Sequence, residues 1–236
     1  GKSATAMRIA EEFDGEIICA DSRTIYKAMD IGTAKPSEED QARVPHWGID
    51  LVEPGEHFTA ADFQKYATKA IADIRSRGKL PILVGGTGLY VDGVIFDFQF
   101  GKIDPQLRQQ LEAQSLPQLK EYCVNNNVSL PENDQNKRYV IRAIEQNMIN
   151  RKRLAQPIPN TIVVGIATER DVLRQRITAR TEQLFANGMV EEAILLGKKY
   201  GWDSEAMTGN IYKLVKRYVN KDIDETELKQ RFITAD

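Results

Sequence analysis

The sequence has few of the residues that build metal centres and disulfide frameworks. It contains two cysteines, Cys19 and Cys123, far apart in the chain, and only two histidines. Because no Cys-x-x-Cys pair occurs, we expect neither a structural zinc site nor a disulfide scaffold, and a reducing cytoplasm is the expected compartment. No apolar run approaches the roughly 20 residues that cross a bilayer, so we expect no membrane association.

A strong excess of either charge is also missing. The net charge of −2 argues against a protein that coats nucleic acid along its whole surface. Basic residues nevertheless cluster in sequence, at 137–153 and again at 170–180. Such clusters are commonly solvated faces, and contact with RNA is the alternative.

An initiator methionine and a strand ahead of the first helix are absent too, so we expect a chain truncated at its N-terminus. It opens with Gly1-Lys2-Ser3, followed by a helical pattern as far as Phe13. Gly-Lys-Ser/Thr ends the phosphate-binding loop in which amides surround phosphates, the lysine reaches their oxygens and the hydroxyl meets Mg²⁺. The tripeptide alone also occurs by chance, so it is a weak indication of phosphate binding.

Strand and helix patterns alternate through the first hundred residues. Apolar runs at Glu16–Ala20, Trp47–Val52 and Leu80–Val84 predict strands. Thr59 and Asp62 have the spacing of an N-terminal capping pair for the helix between the last two strands. This alternation predicts an α/β domain with a mostly parallel sheet, whose binding sites lie where strands end.

Residues 99–150 show no strand pattern. They are rich in glutamine and asparagine, and helical patterns near 105–113, 117–125 and 134–148 predict a helical insertion. The apolar run Thr161–Ala167 then predicts a strand that rejoins the sheet. Further helices are expected at about 170–186, 189–199, 206–219 and 224–234.

Polar residues that could do chemistry follow the first strand. Asp21 could accept a proton, orient Mg²⁺-bound water, or cap a short helix through Thr24 and Tyr26; capping is the commoner role at such a junction. Further on, Lys35 could approach a phosphate, although a lysine before a proline is more often a surface residue. Neither histidine has a partner at metal-ligand spacing.

Gly85–Gly88 lies between the clearest strand and a helix. Glycines let a ligand approach the backbone closely, and a helix N-terminus attracts anions. A tight turn needs one glycine, whereas this segment has three. We therefore expect a ligand site here.

Taken together, several segments resemble the tRNA dimethylallyltransferase family, also called tRNA isopentenyltransferase. The similar segments cover almost the whole chain in order: 1–3, 20–36, 45–50, 81–90, 133–145 and 180–193. The segment Ala20–Pro36 is the most specific, because nucleotide kinases do not carry it. Where the family usually has Met-Gln in that segment, this chain has Arg23-Thr24.

The resemblance implies an α/β fold with a P-loop NTPase-like parallel sheet core and a helical insertion domain. The core would comprise 1–98 and 151–236, and the insertion, 99–150, would contact tRNA. The implied reaction transfers a dimethylallyl group from dimethylallyl diphosphate to the exocyclic amine of the adenine directly 3′ of the tRNA anticodon. The implied partners are the anticodon stem-loop and dimethylallyl diphosphate, and we expect a cytoplasmic monomer.

The resemblance also implies roles for particular residues. Gly1, Lys2 and Ser3 would bind the diphosphate, with the cofactor Mg²⁺ at the Ser3 hydroxyl. Asp21 would accept the amine proton, and Thr87 would complete the catalytic pair near the flipped nucleotide. The implied tRNA contacts are Asp21, Ser22, Arg23, Thr24, Arg138, Tyr139, Val140, Ile141 and Arg142.

Two other functions remain open at this point. A P-loop small-molecule or nucleotide kinase would consume ATP in the presence of an acceptor. A non-catalytic RNA-binding module would keep its affinity for tRNA after Lys2 and Asp21 were replaced.

Overall fold

The protein has a parallel sheet between layers of helices. The computed structural model describes residues 1–100, 104–148 and 154–235. The strands are β1 (Gly15–Cys19), β2 (His46–Trp47) and β3 (Leu80–Val84), in the parallel order β2-β1-β3. Helices α1 (Lys2–Glu12), α2 (Glu38–Arg43), α3 (Ala60–Ser76) and α4 (Gly88–Ile95) alternate with them. The expected α/β fold with a parallel sheet is therefore confirmed.

The remaining regular elements are helical. They are α5 (Pro105–Ala113), α6 (Leu116–Asn125), α7 (Lys137–Met148), α8 (Arg170–Ala186), α9 (Met189–Tyr200), a 3₁₀ turn (Glu205–Thr208), α10 (Asn210–Val219) and α11 (Glu225–Ala235). Every helix in the described ranges is too short or too polar to cross a bilayer. The contacts divide the chain into a sheet-containing unit, Gly1–Val94 with Ile162–Asp236, and a helical unit, Ile95–Thr161. The helical unit is wider than the insertion expected at 99–150, whose role as a tRNA-binding domain stays a prediction.

Strand β1 is the centre of the sheet and is buried along its whole length. Its alternating side chains serve two cores, since Ile17 packs on the α1 side with Ala10 while Ile18 packs with Phe63 of α3. A strand covered on both faces reads as a continuous apolar run, which is why this one is visible in the sequence.

The start of α3 has the predicted cap. The Asp62 amide donates to the Thr59 hydroxyl (3.2 Å), and the Thr59 amide donates to the Asp62 carboxylate (3.0 Å). These hydrogen bonds satisfy donors that the first helical turn leaves unpaired. The Thr59 hydroxyl also donates to the Asp62 carboxylate (2.6 Å), and this contact, followed by the one from the Thr59 amide, lowers the pKa of Asp62. At the other end Gly78, with φ +75°, follows the last turn.

The strand predicted at Thr161–Ala167 is wrong. The structure describes irregular backbone there, and Ile162, Val163 and Val164 are 91%, 66% and 68% exposed. Apolar β-branched residues favour extended backbone, but a strand also needs a neighbour for its ladder of hydrogen bonds. Within the described ranges, no ladder to this segment forms.

Two other predicted elements are shorter than expected. The second strand ends at Trp47, because Gly48 and Asp50 both adopt positive φ, +82° and +54°, which a strand does not allow. The helix expected at 206–219 is interrupted at Gly209, whose extended backbone separates the 3₁₀ turn from α10.

A buried carboxylate lies in β1, at the opposite end from the strand's carboxyl terminus. Glu16 is 2% exposed and accepts hydrogen bonds from Trp47 Nε1 (2.8 Å) and from both Nη atoms of Arg77 (2.5 and 2.9 Å). Arg77 is the main reason that the pKa of Glu16 lies below its usual value. This ion pair ties the C-terminal end of α3 to the central strand.

We predict that Glu16→Gln lowers the free energy of unfolding by about 1–3 kcal/mol at neutral pH, because a buried charge-assisted contact is lost. Since the folded-state pKa is lowered, the contribution is complete above the unfolded pKa near 4.3 and is lost as pH falls through the folded value. Thermal melts should therefore show a difference from wild type that shrinks on acidification. The exposed Glu12→Gln is the control, and equal melting of both variants at pH 7 would contradict the prediction.

Candidate active site

The segments that leave β1 and β3 touch each other at the carboxyl edge of the sheet. The Ala20 amide donates to Val84 O (2.8 Å), and the Thr87 amide donates to Ala20 O (3.1 Å). A Cβ at Gly85 would lie 2.0 Å from Ala20 O, so only glycine permits this approach. The glycine that suggested a ligand site therefore has a packing role.

Thr87 connects the two segments a second time. Its hydroxyl oxygen accepts a hydrogen bond from the Ser22 amide (2.9 Å) and its hydroxyl hydrogen is directed at Ser22 Oγ (3.2 Å). Two residues predicted from separate motifs, Ser22 and Thr87, are thus in direct contact.

Asp21 lies between these contacts with its carboxylate held on one side. Oδ1 accepts a hydrogen bond from the Arg23 amide (2.8 Å), whereas Oδ2 has no hydrogen-bond partner among the described residues and faces Gly86. The residues that follow form turns, so capping of a short helix is not its role. A half-buried carboxylate fixed through one oxygen can accept a proton on the other.

The start of α1 lies at the same edge of the sheet. Only Phe13 and Asp14 separate this helix from β1, and Ala10 packs against the beginning of the strand, so the helix runs back along it. Eleven helical residues at about 1.5 Å and five strand residues at about 3.3 Å both span roughly 16 Å. Lys2 and Ser3, both exposed, therefore begin the helix near the level at which β1 ends.

Lys35 is an anchor of this region and not the surface lysine that its sequence context favoured. Its side chain is 5% exposed, and its ammonium donates to Tyr26 O (3.0 Å), Asp30 Oδ1 (2.5 Å) and Asp50 Oδ1 (2.6 Å). The contact with Asp50 joins the segment after β1 to the segment after β2. All three strands therefore end in segments that are linked by hydrogen bonds.

Two residues predicted to contact tRNA in this loop have other partners. Arg23 donates from Nη1 to the carbonyls of Glu205 (2.9 Å) and Ala206 (3.2 Å), and from Nη2 to Thr208 Oγ1 (3.0 Å). Thr24 is 5% exposed. The side chain of Thr24 therefore offers almost no surface to RNA, and the guanidinium of Arg23 is already engaged.

The residues of the helical unit that we predicted to contact tRNA differ in their exposure to solvent. Val140 and Ile141 are buried in its core, so their side chains offer little surface to RNA, and their role as tRNA contacts stays a prediction. Arg138 and Tyr139 are exposed, and burial lowers the pKa of Arg142. An open groove of about 540 Å³ adjoins them, lined by Arg108, Glu112, Asn136, Lys137, Arg138 and Ile141.

Neither histidine occupies a metal-ligand position. His46 Nδ1 lies 2.8 Å from Val44 O and must carry the proton, since a carbonyl only accepts, and His57 pairs with Glu205 (3.1 Å). In the described ranges, no three His, Cys, Asp or Glu side chains converge to hold an ion. Both cysteines are buried free thiols. The predicted Mg²⁺ ligand Ser3 therefore has no cluster of protein carboxylates beside it.

Comparison with known proteins decides the family. A protein-family model described as IPP transferase matches residues 24–236. The chain is 40% identical over 235 residues to a tRNA dimethylallyltransferase of Roseiflexus sp., covering 92% of this chain and 76% of that protein. This chain belongs to the tRNA dimethylallyltransferase family.

Solved structures agree with this membership. The full-length tRNA isopentenylpyrophosphate transferase from Bacillus halodurans superposes with a TM-score of 0.73 at 37% identity, covering 99% of this chain and 78% of that one. A eukaryotic dimethylallyltransferase acting on tRNA has a TM-score of 0.82 at 22% identity, covering 100% and 65%, and shares the fold. The dimethylallyltransferase fold in this chain therefore extends over both compact units.

One residue essential to the described geometry escaped sequence reasoning. Glu192 of α9 contacts the loop that begins at Asp21, although some 160 positions separate the partners. No local pattern indicates such a contact, since the residue reads as an ordinary acidic side chain in the first turn of a helix.

We predict that Thr87→Val loosens the junction between the two segments. Valine has the shape of threonine but cannot accept a hydrogen bond from the Ser22 amide. Hydrogen exchange of the Ser22 amide should therefore accelerate about five- to tenfold. Thr87→Ser keeps the hydroxyl and is the matched control. Exchange that stays at the wild-type rate in the valine variant would show that the hydrogen bond does not hold the junction.

Proposed function

We propose that this protein transfers a dimethylallyl group from dimethylallyl diphosphate to the exocyclic amine of the adenine directly 3′ of the tRNA anticodon. Family membership gives the reaction class. The observation that carries the proposal here is the sheet edge where Asp21 lies between Ala20 and Ser22, which both hydrogen-bond to Thr87, with the start of α1 at the same level. A proton acceptor and a diphosphate site at one edge are what this reaction requires.

Asp21 is the proposed proton acceptor. As the adenine nitrogen forms its bond to the allylic carbon, the bond from that carbon to the diphosphate oxygen breaks and pyrophosphate leaves with the electron pair. The nitrogen then gives up one proton, which Oδ2 of Asp21 accepts. The other carboxylate oxygen is held by the Arg23 amide, so the acceptor does not need to reorient.

Gly1, Lys2 and Ser3 are the proposed diphosphate site. The leaving group gains negative charge, and the lysine ammonium and the unpaired amides at the start of α1 can both stabilise it. The Ser3 hydroxyl suits Mg²⁺, which prefers oxygen ligands and is commonly completed by water and substrate phosphates. When bound there, the ion would neutralise charge on the diphosphate.

Ser22 and the exposed residues of the helical unit are the proposed tRNA contacts. Arg138 can pair with phosphate, and the exposed ring of Tyr139 next to it can stack on an unpaired base. Arg142 is the third cation on α7, and the groove beside Arg138 is also lined by the cations Arg108 and Lys137, which can pair with phosphate. Asp21 would meet tRNA only at the reacting amine.

We predict that Asp21→Asn lowers kcat at least about a hundredfold, because asparagine cannot accept the proton. The dissociation constant for unmodified tRNA should stay within about threefold of wild type, since the shape of the site is kept. Radiolabelled dimethylallyl diphosphate measures transfer, and the exposed Asp92→Asn is the control.

The same assay separates the alternatives. A wild-type protein that consumes ATP with an acceptor but transfers no label would favour a kinase. Unaltered tRNA binding without any chemistry in wild type would favour a binding module. Transfer that survives Asp21→Asn would remove the aspartate from the mechanism and leave the reaction class intact.

We predict that EDTA abolishes transfer and that added Mg²⁺ restores it, whereas tRNA binding in monovalent salt persists.

Lys2→Ala should raise KM for dimethylallyl diphosphate about tenfold or more, because a charged contact with phosphate is lost. The exposed Lys69→Ala is the control. A KM that stays unchanged would place the diphosphate elsewhere.

A further inference from the structure

The carboxylate of Glu192 occupies a nest of backbone amides in the loop that carries Asp21. Its Oε2 accepts from the amides of Asp30 (2.9 Å) and Ile31 (2.7 Å), and its Oε1 accepts from the amide of Gly32 (2.9 Å). Three successive amides that converge on one carboxylate form a charge-assisted contact, stronger than neutral hydrogen bonds. Helix α9 therefore holds the far part of this loop directly.

The packing around this carboxylate leaves little room for another arrangement. A Cβ at Gly32 would lie 2.9 Å from the hydroxyl of Tyr212 and 3.3 Å from Oε1 of Glu192. Tyr212 is 2% exposed, and its hydroxyl has no hydrogen-bond partner in the described structure. Glu192 and Tyr212 thus both lie close to the loop backbone at position 32, and glycine at that position is what lets them approach it.

Contacts inside the loop link the amide nest to its earlier part. The Lys35 ammonium joins Asp30 to the carbonyl of Tyr26, and the Lys35 amide donates to Asp30 O (3.0 Å). Tyr26 in turn donates from its amide to Arg23 O (3.2 Å). A connected series of hydrogen bonds therefore runs from Glu192 to the turn whose first residue is Asp21.

We propose that Glu192 is a positioning residue for Asp21, an inference that rests on the proposed function. It acts through the loop at 30–32 and touches neither the reacting atoms nor the diphosphate site. Both of its oxygens already accept hydrogen bonds, so it does not serve as a second proton acceptor. Its effect is to fix the loop so that Oδ2 of Asp21 is presented in one orientation.

The test compares Glu192→Gln with Glu191→Gln. Glutamine at 192 places an NH₂ group against a backbone amide and removes the charge, whereas Glu191 is exposed on the same turn of α9 and loses the same charge without a loop contact. Amide hydrogen exchange of the peptide containing residues 30–32 is measured first, because it requires no activity. Steady-state transfer is then measured at a temperature where melting curves show both variants fully folded.

We expect Glu192→Gln to accelerate exchange at 30–32 at least tenfold and to lower kcat at least tenfold. The tRNA dissociation constant and KM for dimethylallyl diphosphate should change less than threefold, since neither proposed binding site includes Glu192. Glu191→Gln should match wild type in all four quantities. Loss of folded protein would also lower the apparent kcat at unchanged KM, so the melting curves and the localised exchange at 30–32 are what separate a positioning role from lost global stability.

Two outcomes overturn the inference, and they differ from failure of the proposed function. Exchange at the wild-type rate would show that Glu192 does not hold the loop. Faster exchange with kcat within twofold of wild type would show that the loop does not position Asp21. A wild-type protein that transfers no dimethylallyl group overturns the proposed function and, with it, the positioning role.

A second variant keeps the test decisive if Glu192→Gln does not fold. Gly32→Ala leaves the Glu192 charge in place but inserts a methyl group between the loop and the side chains of Glu192 and Tyr212. It should reproduce the faster exchange and the loss of kcat, again with unchanged KM. Wild-type values for this variant would overturn the positioning role.

Discussion

The candidate site depends on the contact between the backbones that leave β1 and β3. A Cβ at Gly85 would lie 2.0 Å from Ala20 O, so the two segments meet only because that position has no side chain. Asp21 directly precedes Ser22, whose amide donates to the Thr87 hydroxyl. Among the described residues, no hydrogen bond joins the two predicted catalytic residues, Asp21 and Thr87, directly. The parallel sheet brings the ends of β1 and β3 to the same edge, and Gly85 allows the two backbones to approach closely there.

Features that depend on local sequence were predictable. β3 has the bounds expected from its apolar run, and the hydroxyl–carboxylate pair at the start of α3 forms the cap that its spacing indicates. The predicted residues Asp21, Ser22 and Thr87 do come together, because strand ends in a parallel sheet share an edge. In each case a few neighbouring residues and one general rule determine the geometry.

Features that depend on distant partners could not be predicted from the sequence. An apolar β-branched run such as Ile162–Val164 has the propensity of a strand, but a strand exists only beside a neighbour. Lys35 reads as a surface residue until Asp50 and the Tyr26 carbonyl are known to surround it. Burial of Val140 and Ile141 likewise depends on how α7 packs, which a basic sequence cluster does not reveal.

The loop that carries Asp21 is held by groups of opposite charge at two places. Glu192 brings a carboxylate to amides at 30–32, while Arg23 brings a guanidinium to carbonyls of the 3₁₀ turn before α10. Each charged group meets backbone dipoles of the opposite sign, so neither needs a charged partner. The two anchors hold different parts of the loop, so removal of the Glu192 carboxylate would free the amides at 30–32 even while Arg23 stays engaged.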